Sequence, residues 1–458
     1  MRESYEAPTL RSRIGNPLTQ PSSQALLRAL DGPRRRLLDA AIEAAEALAC
    51  PLWLVGGAVR DIALGPTSEH PLRDLDFATG GDPAPLARVL GRLLDAEVHI
   101  EVRIEPRFGT ASVVLGPTTD GVRADFAALR SERYARPGAL PTVRLGASIE
   151  DDLARRDFTV NAIALPLTGS GRAPLIDPFG GLADLAARRL RVLHDRSFID
   201  DATRLWRGAR FAARLRLRPD GATAALIASG TSALAAISGR RLWSEFALLA
   251  AEPRPGTAPR LLDQWGVLRA VHPSLRLDER AMRAMSRRGP CPPELLFALL
   301  TASLTAGPRA EVAARFGVPR AAARVVDDAV RLLAASAAAD TAGPELLATL
   351  EPTSILGRTA ALWLDPIRQR PLQRAVRRWQ RTRSPLRAEA LVALGVGRGP
   401  ELGAWLAQLR RARYLGTLNS AAEARRLVRE QLGTLVGRAG RRATERPAPS
   451  HRERWEER

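Results

Sequence analysis

The sequence predicts an α+β protein: a mixed α/β N-terminal part holding a small antiparallel-type sheet, followed by an all-α remainder. Two observations carry this reading. Short runs of alternating polar and apolar residues, the mark of half-buried strands, recur up to about residue 165 and then cease. From about residue 196 onward, Ala/Leu/Arg segments with helical apolar spacing follow one another, punctuated by Pro and Gly. With 458 residues, 45% of them apolar, the chain can bury several cores, and a prior of ~100 to 200 residues per domain favours three or four units.

The elements follow in order. Residues 1–32 are polar and proline-rich and read as an N-terminal arm. RRRLLDAAIEAAEALA, Arg34 to Ala49, has the spacing of an amphipathic helix, and PLWLV, 51–55, is a β-type run closed by Gly56 and Gly57. RDLDFAT (73–79), EVHIEVRI (97–104), TASVVLG (110–116) and GVRADFAAL (121–129) alternate as strands do. ATRLWRGARFAARLRL (202–217), RAEVAARFGV (309–318) and PELGAWLAQLRRARYLG (400–416) are helical. No fixed-period repeat is present. The charged, proline-containing end, 439–458, is expected to be disordered.

The net charge of +20 is carried entirely by arginine, since the sequence contains no lysine. A GC-rich codon bias accounts for the missing lysine, but not for the excess of cations over anions. That excess implies a polyanionic partner, nucleic acid first. Cys50 and Cys291 stand apart and outside any CxxC, which offers neither a disulfide framework nor a zinc site. No run of ~18 apolar residues and no signal-peptide h-region is present, so the protein is expected to be cytoplasmic, without membrane association.

LVGGAVRDIALGPTSEHPLRDLDFATGG, 54–81, carries the chemistry. On a strand, residues i and i+2 share a face, so Asp74 and Asp76 present two carboxylates side by side while Leu75 and Phe77 face the core. Like charges held that close call for a cation, and hard oxygen donors in a half-open site suit Mg²⁺ completed by substrate phosphates. Alone, the DxD would fit a solvated strand face as well. The Gly56-Gly57 turn lets backbone N–H groups approach phosphate oxygens, and Arg60, one helical turn on, is placed to clamp them. Strand, GG turn, Arg and DxD strand together spell a metal-dependent nucleotidyl-transfer site.

VGGAVRD followed by RDLDFAT resembles the opening of the class II tRNA nucleotidyltransferase and bacterial poly(A) polymerase family, a branch of the polymerase-β-like superfamily. Three further stretches match that family in order. LARRDFTVNAIAL (153–165) resembles its RRDFTxNA signature, LIDPFGGLADLAARRLRVL (175–193) the stretch closing the head, and FIDDATRLWRGARFAARL (198–215) the nucleobase-reading helix. SGRRLWSEFALL (238–249) and residues 394–420 resemble neck and tail more loosely. The resemblance implies a catalytic head at 33–195, a base-reading neck at 196–270, a body at 271–385 and a tRNA-binding tail at 386–438. It implies that Arg156 and Asp157 contact the incoming ribose and phosphates, with Asn161 in the same signature. It also implies that Asp125, where the family often carries another acidic residue, helps position or deprotonate the attacking hydroxyl. An HD-type phosphohydrolase module is not expected: His70, His99, His194, His272 and His451 are scattered, and His194 reads as structural.

The helix at 200–215 has its own physical reading. Asp201, Arg204, Arg207 and Arg210 recur every three residues and share a face. A carboxylate that only accepts beside a guanidinium that only donates forms a template. Cytosine and adenine offer an amino donor next to an unprotonated ring nitrogen and would satisfy both groups; uracil and guanine would leave both unpaired. A surface i, i+3 ion pair is the bland alternative. Arg207 and Arg210 would then lie near the triphosphate. Where the family usually has Glu-Asp-Pro, this chain has Asp200-Asp201-Ala202, which leaves open which carboxylate reads the base. The loop 130–152 lies where the family places an element that helps shift specificity from C to A, which favours C-and-A activity over C alone. The expected activity is Mg²⁺-dependent, untemplated addition from CTP and ATP to the tRNA 3′ end, with Asp74 and Asp76 holding the metal. Poly(A) polymerase, an A-only or CC-only specialist, and a catalytically silent RNA-binding protein remain alternatives.

Overall fold

A computed structural model describes residues 30, 32–65, 74–94, 100–105, 109–116, 122–168, 174–338, 344–364 and 369–444. The predicted N-terminal arm, apart from residues 30 and 32, and the predicted tail beyond Thr444 lie outside these residues, as do Arg73, residues 97–99, His70, His99 and His451. Contacts divide the chain into two compact units, Met1–Ala322 and Ala323–Arg458.

The first unit opens with α1 (Gly32–Ala47), β1 (Leu52–Val55), α2 (Gly57–Leu64), β2 (Asp74–Thr79) and α3 (Pro83–Leu94). The strands β3 (Ile100–Glu105), β4 (Thr110–Leu115) and β5 (Val122–Ala128) follow, then the hairpin β6 (Arg130–Arg133) and β7 (Thr142–Leu145), the helix α4 (Ile149–Ala154) and β8 (Ala164–Pro166). Six strands form one sheet in the order β3-β4-β5-β2-β1-β8. The sheet is mixed where an antiparallel type was expected: β2 and β5 run parallel, with Asp76 beside Asp125 in register. The reason is the connection. The chain leaves β2 through α3 and the β3-β4 pair before returning, a crossover long enough to bring β5 back in the same direction.

The period of two sorts the sheet's faces. Leu54, Leu75, Phe77, Ala124 and Phe126 join Leu37, Leu38, Leu86 and Leu90 of α1 and α3 in one buried cluster, with the Phe77 and Phe126 rings stacked 4.8 Å apart. Asp74, Asp76 and Asp125 therefore point to the opposite face, where α4 covers the end of the sheet through Ile149 and Leu153 against Val55 and Ala78.

Beyond the sheet come α5 (Gly181–Ala186), α6 (Ser197–Asp200), α7 (Thr203–Leu215), α8 (Gly221–Gly230) and α9 (Gly239–Ala250), then further helices. Helix α7 has two faces. Leu205, Trp206, Ala209 and Ala212 are buried, and Trp206 meets Phe316 edge-on at 5.7 Å and Phe246 at 6.4 Å. This aromatic cluster fixes the rotation of α7 and so the aim of its arginines. Trp206→Ala is expected to cost about 3–5 kcal/mol of stability, measured by denaturant unfolding; a loss under about 1 kcal/mol would remove the cluster from that role.

The second unit is helical. Its core gathers Leu391, Trp405, Leu409 and Val428, with Trp379 edge-on to Tyr414 at 5.8 Å. The helix Ala421–Thr444 continues through the first six residues of the stretch expected to be disordered. Its composition, rich in Ala and Arg with no proline before Pro447, explains why. Among the described residues no helix is long and apolar enough to cross a membrane.

Candidate active site

The exposed face of the sheet, α2, the segment that follows α4 and the arginine face of α7 enclose a cleft of about 600 Å³. It brings together Gly56, Gly57, Arg60, Asp74, Asp76, Arg156, Asp157, Asn161, Asp201, Arg204, Arg207 and Arg210, residues separated by up to 154 positions. Asp125 is the one expected site residue that does not line it.

Gly56 sits between β1 and α2 at φ 69°, ψ −128°, a conformation open to glycine and costly for other residues. A Cβ there would also lie 2.9 Å from Arg156 Nη1. Its own N–H donates to Ile163 O at 3.0 Å, so the backbone donors left to the cleft are those further along the first turn of α2, where Gly57 and Ala58 line it. Arg60 differs from expectation. It is 2% exposed, donates from Nε to Asp61 at 2.8 Å and from Nη1 to Asn161 Oδ1, and lies over the Phe211 ring. It braces the cleft wall and is not a free clamp.

Asp74 is exposed and Asp76 half-buried on β2. Burial, then Asp125, raises the Asp76 carboxyl to about 6, with Asp74 adding to the rise. Asp125 Oδ1 accepts from Ser112 Oγ at 2.5 Å and from Arg123 Nε at 2.8 Å, so it acts on Asp76 as a neighbouring charge. A desolvated carboxylate crowded by two others is a donor set that a divalent cation relieves. Among the described residues no three acidic, histidine or cysteine side chains converge to hold an ion alone. The two β2 carboxylates thus fit a hard cation that completes its shell with water and phosphate oxygens.

The RRD stretch is aimed by Asp152, which no sequence motif marks. Asp152, 1% exposed, accepts from Arg155 Nη2 at 2.7 Å and from Arg156 Nη2 at 3.0 Å. A capping box between Ser148 and Asp151 starts α4 and fixes its position. Asp157 turns away from the role of free phosphate or ribose contact: its Oδ2 accepts from Arg207 Nε at 2.8 Å and its Oδ1 from Asn161 Nδ2 at 2.9 Å. Burial pushes the Asp157 carboxyl up, but Arg207 and Asn161 outweigh it and hold the group at about 2. Arg156 and Arg210 keep a buried Nε without a hydrogen-bond partner, and burial, with Arg207 and Arg214 nearby, depresses Arg210. Two buried unpaired donors in a cleft are the arrangement an anionic ligand satisfies.

The single helix expected over 200–215 is broken: Asp201 lies in extended backbone (φ −141°, ψ 96°) between α6 and α7, and its Oδ1 accepts from Thr203 N at 3.0 Å and Thr203 Oγ1 at 2.7 Å. Arg204 donates to Ser197 Oγ and to Arg155 O, each at 2.8 Å. His194 Nε2 lies 3.4 Å from Arg204 Nη1, a packing position consistent with a structural residue. Asp200 pairs with Arg196 at 3.1 Å and is not among the lining residues, so Asp201 is the carboxylate presented to the cleft. Glu132, Arg155, Phe211, Arg214 and Glu252 also line it. Phe211 was legible, being four residues on from Arg207 on one helix face. The Arg214–Glu252 pair, 38 residues apart, had no local signal.

Residues 52–191 match the family model described as the poly(A) polymerase head domain. Over 385 residues, 83% of this chain and 90% of the relative, the sequence is 38% identical to the CC-adding tRNA nucleotidyltransferase of Deinococcus radiodurans. It is 37% identical over 240 residues to the A-adding tRNA nucleotidyltransferase of Geobacter sulfurreducens, 52% of this chain but 26% of that protein. The Thermotoga maritima CCA-adding enzyme, solved with tRNA, has the same fold: TM-score 0.64 at 23% identity, covering 90% of this chain and 98% of that one. A head of this type, continued by helices along nearly the whole of a tRNA nucleotidyltransferase, leads to one conclusion: the chain belongs to the CCA-adding enzyme and poly(A) polymerase family of nucleotidyltransferases.

Proposed function

We propose that this nucleotidyltransferase adds nucleotides from CTP and ATP to the 3′ end of tRNA without a nucleic-acid template. The observation that carries the reading is one cleft in which the β2 carboxylates Asp74 and Asp76 face the arginine side of α7. The first turn of α2 and the open donors of Arg156 and Arg210 receive the triphosphate. Asp201 accepts from the exocyclic amino group of the base and Arg204 donates to its ring nitrogen. Asp74 and Asp76 hold Mg²⁺, which when bound would supply positive charge at the reacting phosphate and lower the pKa of the attacking hydroxyl. Asp125 strengthens the negative potential at Asp76. The tRNA 3′-hydroxyl attacks the α-phosphate in line, its P–O bond forming as the bond to pyrophosphate breaks, and positioning supplies most of the protein's own contribution. Neck, body and tail, 196–438, hold the folded RNA through its backbone and shape. The reaction belongs in the cytoplasm, where tRNA is processed.

A second reading, addition of CC alone, is favoured by the D. radiodurans relative, which matches the greater part of both chains. Three transcripts, ending at the discriminator base, at C and at CC, separate the two when incubated with Mg²⁺ and CTP, ATP or both. Addition of CCA and a halt supports the first reading and a stop at CC the second. Long A tracts would make the chain a poly(A) polymerase. No incorporation would defeat all three and leave a silent RNA-binding protein.

A further inference from the structure

We propose that Arg241, which lies outside the cleft, is a positioning residue for nucleotide selection because it ties the base-reading carboxylate to the β6-β7 hairpin; the inference rests on the reading of Asp201 and Arg204 given above. Arg241 stands in the first turn of α9, whose cap Ser238 accepts from its backbone N–H at 3.4 Å. Its Nη2 donates to Asp201 Oδ1 at 2.8 Å. That oxygen is the one already taken by Thr203, so the guanidinium fixes the plane of the carboxylate from behind.

The other arm of the same fork, Nη1, donates to Gly138 O at 3.4 Å. Gly138 lies in the turn joining β6 and β7, and that turn is seated tightly. Its φ is +73°, and a Cβ at this position would lie 2.5 Å from Ala236 O and 2.7 Å from Ala236 Cβ. Only a hydrogen separates the turn from the segment that leads into α9.

A second tether runs from the same hairpin to the second reader. Glu132 of β6 accepts from Arg155 Nη1 at 2.8 Å, and the Arg155 carbonyl accepts from Arg204 Nη2 at 2.8 Å. Both members of the base-reading pair are thus referred to one hairpin, Asp201 through Arg241 and Arg204 through Arg155. A planar guanidinium with donors in a rigid fork can serve two acceptors at once, which a lysine ammonium at this place cannot do in the same geometry. A hydrogen-bond template discriminates only while its donors and acceptors stay in register. Selection therefore depends on whether the hairpin is docked.

The test compares kcat/KM for CTP and UTP on a tRNA transcript with Mg²⁺, for the full chain and the variants Arg241→Ala, Arg241→Lys and Gly138→Ala. The expected result is a CTP/UTP ratio lowered at least tenfold in Arg241→Ala, through a raised KM for CTP and not through a common fall in kcat. Arg241→Lys should recover part of the ratio. Gly138→Ala, which keeps the Arg241–Asp201 contact but displaces the turn, should lower the ratio as well. The double variant Arg241→Ala/Gly138→Ala should be no worse than Arg241→Ala, because both break one link. Should Arg241→Ala fail to fold, the other two variants read the same ratio. An unchanged ratio in a folded variant, or an equal fall for both nucleotides, overturns the proposal while leaving the functional reading intact. A wild-type chain that incorporates neither CTP nor ATP overturns both.

Discussion

Asp76→Asn is expected to abolish nucleotide addition and to raise the melting temperature at neutral pH. The two effects share one cause. Asp76 is held beside Asp125 and Asp74 on a partly desolvated sheet face, and burial followed by that repulsion lifts its carboxyl from 3.8 to about 6. An acid whose folded-state value is raised costs stability above that value, and the cost is relieved as pH falls through it. At pH 7 the ionised group therefore opposes folding by about 3 kcal/mol in the absence of a cation. The amide removes this repulsion with little change of shape, so thermal melting without divalent ions should move upward. It also removes a hard anionic donor from the reacting centre, and a fall in kcat on the order of 10³ or more follows from losing such charge stabilisation. Mg²⁺ should stabilise the wild-type chain and leave the variant nearly unmoved. A variant that melts lower than wild type, or that gains as much from Mg²⁺, would show that the carboxylate cluster is not strained in the way the geometry implies.

Much of this site is legible in the sequence, and the reason is local. The GG turn, the i, i+2 carboxylates and the three-residue spacing of Arg204, Arg207 and Arg210 on α7 are each set locally, so one short stretch fixes which side chains share a face, whereas Asp201 reaches the cleft from extended backbone before the helix. The cleft accordingly gathers all of them. What the sequence concealed was how the charges are spent across elements. Arg60 reads as a clamp by its spacing from Gly57, yet Asn161, 101 residues away, takes its guanidinium. Asp157 reads as a ligand contact, yet Arg207 claims it across 50 residues. Asp125 lies on the same sheet face, on the strand beside Asp76, yet does not line the cleft. The parallel β2-β5 pair and Arg241 behind Asp201 were hidden for the same reason, since pairing between distant segments leaves no periodic trace. The arginine count was similarly ambiguous: several guanidiniums of the cleft, Arg156 and Arg210 included, pair with carboxylates, and the unpartnered Nε atoms of these two stand out only once burial is known.

Asp157→Ala should be among the most destabilising single substitutions in the first unit, with a loss of about 3–5 kcal/mol. The carboxylate is 6% exposed and joins the signature loop to α7 through Arg207 at 2.7 Å, while Asn161 passes the connection on to Arg60. Removing it leaves the partly exposed Arg207 guanidinium without its hydrogen-bonded counter-charge and the buried Asn161 amide without an acceptor, and a buried amide left unpaired is costly. Arg207→Met, which supplies apolar volume in place of the charge, should by contrast be milder. In a double-mutant cycle the pair should couple, so that Asp157→Ala/Arg207→Met is more stable than Asp157→Ala alone. The pH dependence has a definite sign. A carboxyl depressed to about 2 in the folded chain, against about 3.9 unfolded, contributes stability that is complete above about pH 4 and is lost as pH falls toward 2. Asp157→Ala should remove that part of the acid limb of the unfolding curve. Should denaturant titration show a cost below about 1 kcal/mol with no coupling to Arg207, α7 would be held against the head by Trp206 and its aromatic neighbours alone, and Arg207 would be free to meet the triphosphate.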